Sequence, residues 1–356
     1  STPKWEDKSL WFNKTNEDYG SFEALPEAQK KVDEIIKGKK TEMDKIAALT
    51  HWVADNIRYS GISMGKGEGY TLHNTKMNFT DRCGVCKDIA GTLISFLRMA
   101  GFEAYPAMTM AGSRVAEQQQ NYLPGVPEGS DLKITPVSPP ENHYFRITSQ
   151  TSLLTNGTLK GKFTVTAEGQ SDGVVRRIFT RGFQSEWYNA LERELLNVSP
   201  QAKLVNVDYG KDPRDYQSGP IKITYTFEIP NYALMGEDVI VFKPLTMNNL
   251  YNSVKTFLRI NTEISERSYA FKDACSRLVE LDEQIKIPKG YRLIPIKNMQ
   301  STQTSPVADF NGSISFENNQ IKSQQKLALK KRVYEAGDWD SFRKAGNEHK
   351  SFGESL

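Results

Sequence analysis

The chain places a cysteine, Cys86, at the predicted start of an amphipathic helix within the segment TDRCGVCKDIAGTLISFLRMAGFEAYPAM of residues 80–108. The thiolate is the nucleophilic form of cysteine, and the positive end of a helix dipole favours that form. An enzyme that attacks acyl carbons with sulfur needs a thiol in this kind of position. Cys86 is therefore the candidate catalytic nucleophile, and the ordinary alternative is a small buried core residue.

Cys83 and Cys86 also form a C-x-x-C pair, which is typical of two other kinds of site. A structural zinc site needs a second pair of ligands, and neither Cys275 nor the histidines supply one at a suitable spacing. A redox pair normally follows a strand directly, whereas residues 74–82 are polar and irregular. The sequence therefore predicts no metal and no cofactor, and a redox role stays a lesser alternative. Cys275 is predicted to be a buried core thiol.

The helix that carries Cys86 is predicted from the spacing of its apolar residues. Gly101 stands where this helix should end, and a strand is predicted over residues 102–108. Asp88, in the first turn, is interpreted as an acid that the helix dipole favours. Earlier helices are predicted over residues 26–37 and from Thr41 to about residue 59. The apolar face of the helix contains Ile89, Leu93, Phe96, Leu97 and Ala100.

The second half of the chain has the alternating pattern of strands. Residues 118–140 are polar and rich in proline and glycine, which predicts a linker. Residues 221–229 alternate regularly between apolar and polar side chains, as a half-buried strand does. Two helices, over 186–197 and 339–345, interrupt the strands. Further strands are predicted over 157–170, 239–242, 291–296, 313–316 and 324–334.

The composition is that of an ordinary globular protein of 356 residues, long enough for two or three domains. A formal net charge of +3, without aromatic residues interleaved among basic clusters, gives no support to nucleic-acid binding. No apolar run approaches the ~20 residues that span a bilayer, so no transmembrane segment is predicted. The chain starts without a signal peptide or an initiator methionine, and we expect a mature or trimmed piece.

Two motifs together resemble a bacterial transglutaminase-like domain. They are W-V-x-x-N-I-R-Y at residues 52–59 and G-V-C-x-D-x-A-x-x-L-x-x-x-L-R-x-x-G-F-x-A at residues 84–104. Such domains share their core with papain-type cysteine peptidases, and the likeness covers residues 27–112. The rest is similar to uncharacterised secreted bacterial proteins that flank this core with β-rich domains of unknown function. The expected fold is thus α+β: a lead-in over 1–25, a core over 26–117, the linker over 118–140, and a mostly antiparallel, sandwich-like region of one or two domains over 141–356.

The resemblance implies a Cys–His–Asp triad, in which Cys86 matches the nucleophile. His143, in the sequence ENHYF, is the candidate base, and a strand-edge histidine at a domain junction is the alternative. The nearest aspartates after it are Asp172 and Asp208, and neither has a supporting context. Two explanations fit the incomplete triad. The chain is either a non-catalytic relative or it lacks an internal segment near Val115, and we favour the second.

The function expected from the resemblance is hydrolysis of an amide or peptide bond through a thioester at Cys86. The substrate would be a peptide or protein, with a glycan or another component of the cell envelope as a further candidate partner. The resemblance places the protein in the periplasm or outside the cell. The alternative is a non-catalytic scaffold or binding protein of the cell envelope.

Overall fold

The computed structural model describes residues 3–61, 69–110, 118–255, 260–294 and 300–352. The chain divides into two compact units, which we call the N-terminal unit (1–115 and 120–135) and the C-terminal unit (116–119 and 136–356). The fold is α+β, as predicted. Val115, near which the sequence predicts a missing segment, lies outside the described residues.

The N-terminal unit is mainly helical. Its elements are α1 (Trp5–Tyr19), α2 (Pro26–Ile36), α3 (Glu42–Asn56), β1 (Arg58–Tyr59), α4 (Thr75–Asp81), β2 (Cys83–Gly84), α5 (Cys86–Met99), β3 (Ala107–Thr109), β4 (Asn121–Pro124) and β5 (Lys133–Ile134).

Helices α2, α3 and α5, the last of which carries Cys86, pack around one apolar core. Phe96 of α5 is fully buried and stacks on Trp52 of α3, with ring centroids 5.2 Å apart. Thr41 begins α3 by accepting a hydrogen bond from the Asp44 N–H at 3.0 Å, the capping expected from the sequence. The predicted apolar stripe of α5 therefore fixes this helix against two neighbours.

The strand that follows α5 is shorter than predicted, because residues 102–106 are irregular and only β3 forms. Pro106 contributes here because it has no N–H to donate to a neighbouring strand. Strands β3, β4 and β5 form a small antiparallel sheet, and β4 and β5 lie within the residues predicted as a linker. The predicted lead-in contains α1, whose Asn13 side chain donates to the Gly125 carbonyl at 3.0 Å.

The C-terminal unit contains the longer strands. Its elements are β6 (Tyr144–Leu153), β7 (Leu159–Ala167), α6 (Gly169–Thr180), α7 (Trp187–Leu196), β8 (Lys203–Asp208), β9 (Ile221–Ile229), β10 (Leu234–Met235), β11 (Ile240–Val241), α8 (Asn252–Lys255), β12 (Phe271–Lys272), β13 (Arg277–Lys286), β14 (Gln300–Gln303), β15 (Ala308–Glu317), β16 (Gln320–Leu329), β17 (Val333–Tyr334) and α9 (Trp339–Phe352).

Eight of these strands form one sheet in the order β14-β15-β16-β13-β6-β7-β9-β8. Every neighbouring pair is antiparallel except β13 and β6, which run parallel with Leu278 opposite Tyr144. Phe163 of β7 stacks on Tyr225 of β9 at 4.3 Å between ring centroids, and both side chains are buried. The mostly antiparallel character is as predicted, but two packed sheets, as in a sandwich, are not confirmed. In the predicted strand over 291–296, residues 291–294 are irregular and the last two lie outside the described residues.

Candidate functional site

Helix α5 begins at Cys86, and the cysteine side chain is exposed. Val85 precedes the helix in an extended conformation, with φ −84° and ψ 177°. Its N–H donates to Asp88 Oδ2 at 3.0 Å, so the third residue of the helix holds the residue before the cysteine. This hydrogen bond fixes the entry of the chain into the helix, and it places the thiol at the positive end of the helix dipole.

Strand β2, just before Cys86, pairs with β1, which directly follows α3. Strands β1 and β2 are parallel, and the Arg58 and Ser60 N–H groups donate to the carbonyls of Arg82 and Gly84 at 2.8 and 2.9 Å. Gly84 leaves no room for a side chain, since a Cβ there would lie 2.6 Å from Asp88 Cβ. The glycine therefore lets Asp88 approach the backbone before the cysteine.

Asp88 also forms a buried pair with His73, which comes from the loop before α4. The His73 N–H donates to Asp88 Oδ1 at 3.1 Å, and His73 Nδ1 lies 3.2 Å from Asp88 Oδ2. Only 3% of His73 and 1% of Asp88 is exposed. Because Nδ1 faces a carboxylate, hydrogen-bond logic assigns a proton to Nδ1. Nε2 is buried and has no hydrogen-bond partner among the described residues.

Asn78 of α4 links the main chains of His73 and Asp88. Its Nδ2 donates to the carbonyls of His73 and Asp88 at 3.2 and 3.3 Å, and the Thr92 hydroxyl donates to the Asp88 carbonyl at 2.9 Å. Each of these hydrogen bonds restricts the local geometry, because a buried donor or acceptor that loses its partner costs free energy. The helix-dipole interpretation of Asp88 is thus incomplete, since its carboxylate also binds the His73 loop and the backbone of Val85.

His143, the base predicted from the sequence, lies in the C-terminal unit immediately before β6. Its Nε2 is 2.8 Å from the Gln118 side chain, and its Nδ1 accepts a hydrogen bond from the Gln170 N–H at 3.2 Å. Both ring nitrogens therefore have partners in that unit, whereas Cys86 belongs to the N-terminal unit. A role for His143 as the triad base stays a prediction.

Asp172 and Asp208, the nearest aspartates after His143, make contacts unrelated to a triad. Asp172 forms an ion pair with Arg176 at 2.5 Å and accepts the Ile221 N–H at 2.8 Å, which holds α6 to the start of β9. Asp208 accepts the Gly210 N–H at 2.8 Å in an exposed turn. Both contacts are structural, and they give neither residue a catalytic context.

The remaining cysteines differ from Cys86 in exposure. Cys83 is half-buried, and Cys275 is 2% exposed, as predicted for a core thiol. Within the described ranges, no cluster of three or more His, Cys, Asp or Glu side chains could hold a metal ion. Among the same residues, no hydrogen bond reaches the Cys86 sulfur. The exposed thiol is thus distinct from the other two in its access to a large electrophile.

Two family models match separate parts of the chain. Residues 29–125 match the transglutaminase-like superfamily, and residues 238–351 match a Domain of Unknown Function with solved structure (DUF3858). The first match contains Cys86, His73 and Asp88. No curated protein matches the chain.

A solved structure, described as "a putative protease from Parabacteroides distasonis ATCC 8503", is similar in fold. It shares 10% sequence identity, with a TM-score of 0.53 over 99% of this chain and 58% of that one. This chain therefore spans little more than half the length of that protein. No helix in the described ranges has the length and apolar character needed to cross a membrane. The chain thus carries a transglutaminase-like domain in its N-terminal part, followed by a domain of unknown function towards its C-terminus.

Proposed function

We propose that the protein is a cysteine hydrolase that cleaves an amide or peptide bond through a thioester at Cys86. The observation that carries this proposal is the exposed thiol on the first residue of a 14-residue helix, inside the region that matches the transglutaminase-like superfamily. The buried Asp88–His73 pair supports it, because a nucleophile has to be held in one position to react efficiently. The similarity in fold to the protein described as "a putative protease" favours a peptide substrate.

The chemistry runs in two steps. The Cys86 sulfur adds to the carbonyl carbon, and the C–N bond then breaks as the amine leaves with the thiol proton. Water next adds to the thioester, the S–C bond breaks, and a carboxylic acid and the free thiol result. The oxyanion of each step needs an N–H donor, and the N–H of Cys86 lies at the first position of α5, where a helix provides no acceptor of its own. A location in the periplasm or outside the cell belongs to the same proposal, on the sequence resemblance alone.

The test is substrate profiling with the full chain and a library of peptides derived from a bacterial proteome. Cleavage products are identified by mass spectrometry for the wild type, Cys86→Ser and Cys83→Ser. We expect products that disappear in Cys86→Ser and persist in Cys83→Ser. Products that persist in Cys86→Ser, or a wild type that yields none, would contradict the proposal.

The base is identified in the same assay with His73→Gln and His143→Gln. A base acts on the thiol proton, so its loss should lower kcat and remove the acidic limb of the pH profile. A merely structural histidine should instead change stability and leave the pH profile intact. His143 is the candidate from the sequence resemblance. His73 has a carboxylate on Nδ1, and its Nε2 has no hydrogen-bond partner in the part of the chain that the structure describes.

A non-catalytic scaffold is the second candidate. The observation that favours it is that no described residue forms a hydrogen bond with the Cys86 sulfur. A scaffold would leave the peptide library uncut, and Cys86 would alkylate no faster than the half-buried Cys83 of the same molecule. The two candidates therefore give opposite results with the same preparation.

A further inference from the structure

The C-terminal unit contains a cavity of about 460 Å³ inside the region that matches the domain of unknown function. This volume falls within the range of small-molecule sites in proteins. Its walls come from the segment around α8, the middle of β13 and β16, and α9. The lining includes Lys243, Lys255, Lys350, His349, Glu263 and several amide side chains.

Lys255, the last residue of α8, is the buried cation of this cavity. Only 4% of the residue is exposed, and its Nζ donates to the carbonyls of Thr246 and Asn248 at 2.8 and 2.5 Å. An ammonium group has three protons, so these two carbonyls leave one proton without an acceptor among the residues that the structure describes. Burial lowers the pKa of Lys255 to about 7, and repulsion from Lys243 acts in the same direction.

The two buried carboxylates near Lys255 are occupied by other donors. Glu283 accepts the Leu245 and Thr246 N–H groups at 3.0 and 2.8 Å, and burial raises its pKa. Glu194 accepts the Tyr251 N–H at 3.1 Å, and burial raises its pKa as well. Neither carboxylate is a hydrogen-bond partner of the Lys255 ammonium among the described residues. An anion from outside could therefore fill that position.

His349 of α9 gives the cavity an unpartnered polar atom. The residue is 8% exposed, and its Nδ1 is buried without a hydrogen-bond partner in the described ranges. Burial, followed by repulsion from Lys255, lowers the pKa of His349 to about 4, so the ring is neutral near pH 7. A neutral ring with a free Nδ1 can hydrogen-bond a polar ligand, and such an unsatisfied buried atom costs free energy until it does.

We propose that this cavity binds a small organic monocarboxylate that carries further hydrogen-bonding groups, with the Lys255 ammonium as its anchor. Three lysines and one glutamate line the cavity, which favours an anion. Glu283 and Glu194 interact electrostatically with Lys255 and oppose a second negative charge beside it, which disfavours phosphate dianions. Amide side chains suit the polar remainder of the ligand, and they are Asn248, Asn249, Asn252, Asn261 and Gln325.

Binding of a carboxylate should be coupled to protonation of Lys255. The bound anion favours the ammonium form, so binding above pH 7 must take up a proton. We expect the affinity to fall about 100-fold between pH 6 and pH 9, since the charged fraction of a group with a pKa of about 7 falls by that factor. The other titratable groups that face Lys255 are Lys243, Glu283, Glu194 and His349.

The test is calorimetric titration of the full chain with four probes. The two carboxylates are N-acetylglycylglycine and glucuronate, which stand for a peptide C-terminus and a sugar acid. The neutral N-acetylglycylglycinamide and inorganic phosphate are the comparisons. We expect one of the two carboxylates to bind saturably, and the stronger one identifies the source of the carboxylate. We expect the neutral amide and phosphate to bind at least 10-fold more weakly.

Lys255→Met should weaken the binding of that carboxylate at least 30-fold, whereas the exposed Lys289→Met should leave it unchanged. If Lys255→Met does not fold, proton uptake by the wild type at pH 8, measured in two buffers of different ionisation enthalpy, decides instead. Uptake approaching one proton per ligand supports the proposal. Equal affinity for acid and amide, tighter binding of phosphate, no saturable binding by either carboxylate, or no proton uptake would overturn it.

Discussion

Replacing Asp88 by asparagine should destabilise the start of the cysteine helix. The carboxylate receives three N–H donors: the Val85 N–H at 3.0 Å, the His73 N–H at 3.1 Å and His73 Nδ1 at 3.2 Å. Asparagine has nearly the same shape but only one acceptor oxygen. That oxygen can face the Val85 N–H or the His73 N–H, and the other buried donor then loses its acceptor.

The size of the effect follows from this loss. A buried donor without an acceptor costs about 1–3 kcal/mol, and hydrogen bonds to charged groups contribute about 1.5–3 kcal/mol each. The His73 ring can change its tautomer so that Nδ1 accepts a hydrogen bond from the new amide. Only one backbone N–H then loses its acceptor. We therefore expect Asp88→Asn to lower the free energy of opening of α5 by about 2 kcal/mol. Asp88→Ala, which removes all three acceptor contacts, should cost about 4 kcal/mol.

Hydrogen exchange read by mass spectrometry suits this test, because it reports the opening of α5 separately from unfolding of the other unit. Asp44→Asn is the matched control. Asp44 is also the third residue of its helix and accepts a hydrogen bond from the backbone before it, the Thr41 N–H at 3.3 Å, but it is exposed. We expect that control to lower the opening free energy of α3 by less than about 1 kcal/mol.

Equal losses in the two helices would refute the reasoning. That result would mean that Asp88 acts only as a first-turn acid at the helix dipole, and that the contacts with His73 contribute nothing measurable. A double-mutant cycle with His73→Ala gives a second check. We expect a coupling of at least 1 kcal/mol between the two positions, and additive effects would again contradict the buried pair.

The remaining predictions concern four other positions. Gly84→Ala should lower the opening free energy of α5 by about 1–3 kcal/mol in the same exchange experiment, because the new Cβ meets that of Asp88 at 2.6 Å. The pKa of His349 is about 4 against an ordinary 6.5, so the unfolded state binds more protons between these values and stability falls as the pH falls. The wild type should therefore lose free energy of unfolding between pH 7.5 and pH 4, measured by urea unfolding. In His349→Gln that loss should be smaller by up to about 3 kcal/mol. Gly161→Ala should lower the free energy of unfolding in urea by about 3 kcal/mol, since its Cβ would lie 2.3 Å from a carbonyl oxygen of β6. Gly173→Ala, in open space within α6, should instead raise that free energy by about 0.5–1 kcal/mol.

Local patterns predicted those elements that bury one regular face. The alternation over 221–229 matches β9 residue for residue, and the apolar spacing after Cys86 matches α5. Helix α6 was missed because Gly169 and Gly173 lower its helix propensity, which tertiary packing overrides. Single-sequence patterns also do not reveal that β13 pairs in parallel with β6, since these strands are far apart in the chain.

The candidate site was predictable only in part. The position of Cys86 at a helix start follows from residues near it in sequence, and so does the first-turn acid at residue 88. The pairing of Asp88 with His73 spans 15 residues and depends on how a loop packs, which no local pattern encodes. The buried Lys255 was likewise missed, because a lysine is normally exposed and its burial arises from the surrounding fold.

The central claim is that Cys86 forms an acyl thioester, and the most direct measurement is to trap that intermediate. The full chain is mixed with the peptide library, quenched in acid within seconds, digested and searched by mass spectrometry. We predict an acyl adduct on the peptide that contains Cys86, released by hydroxylamine and absent from Cys86→Ser. An adduct on Cys83 instead, peptide cleavage without an adduct at Cys86, or neither adduct nor cleavage would contradict the claim.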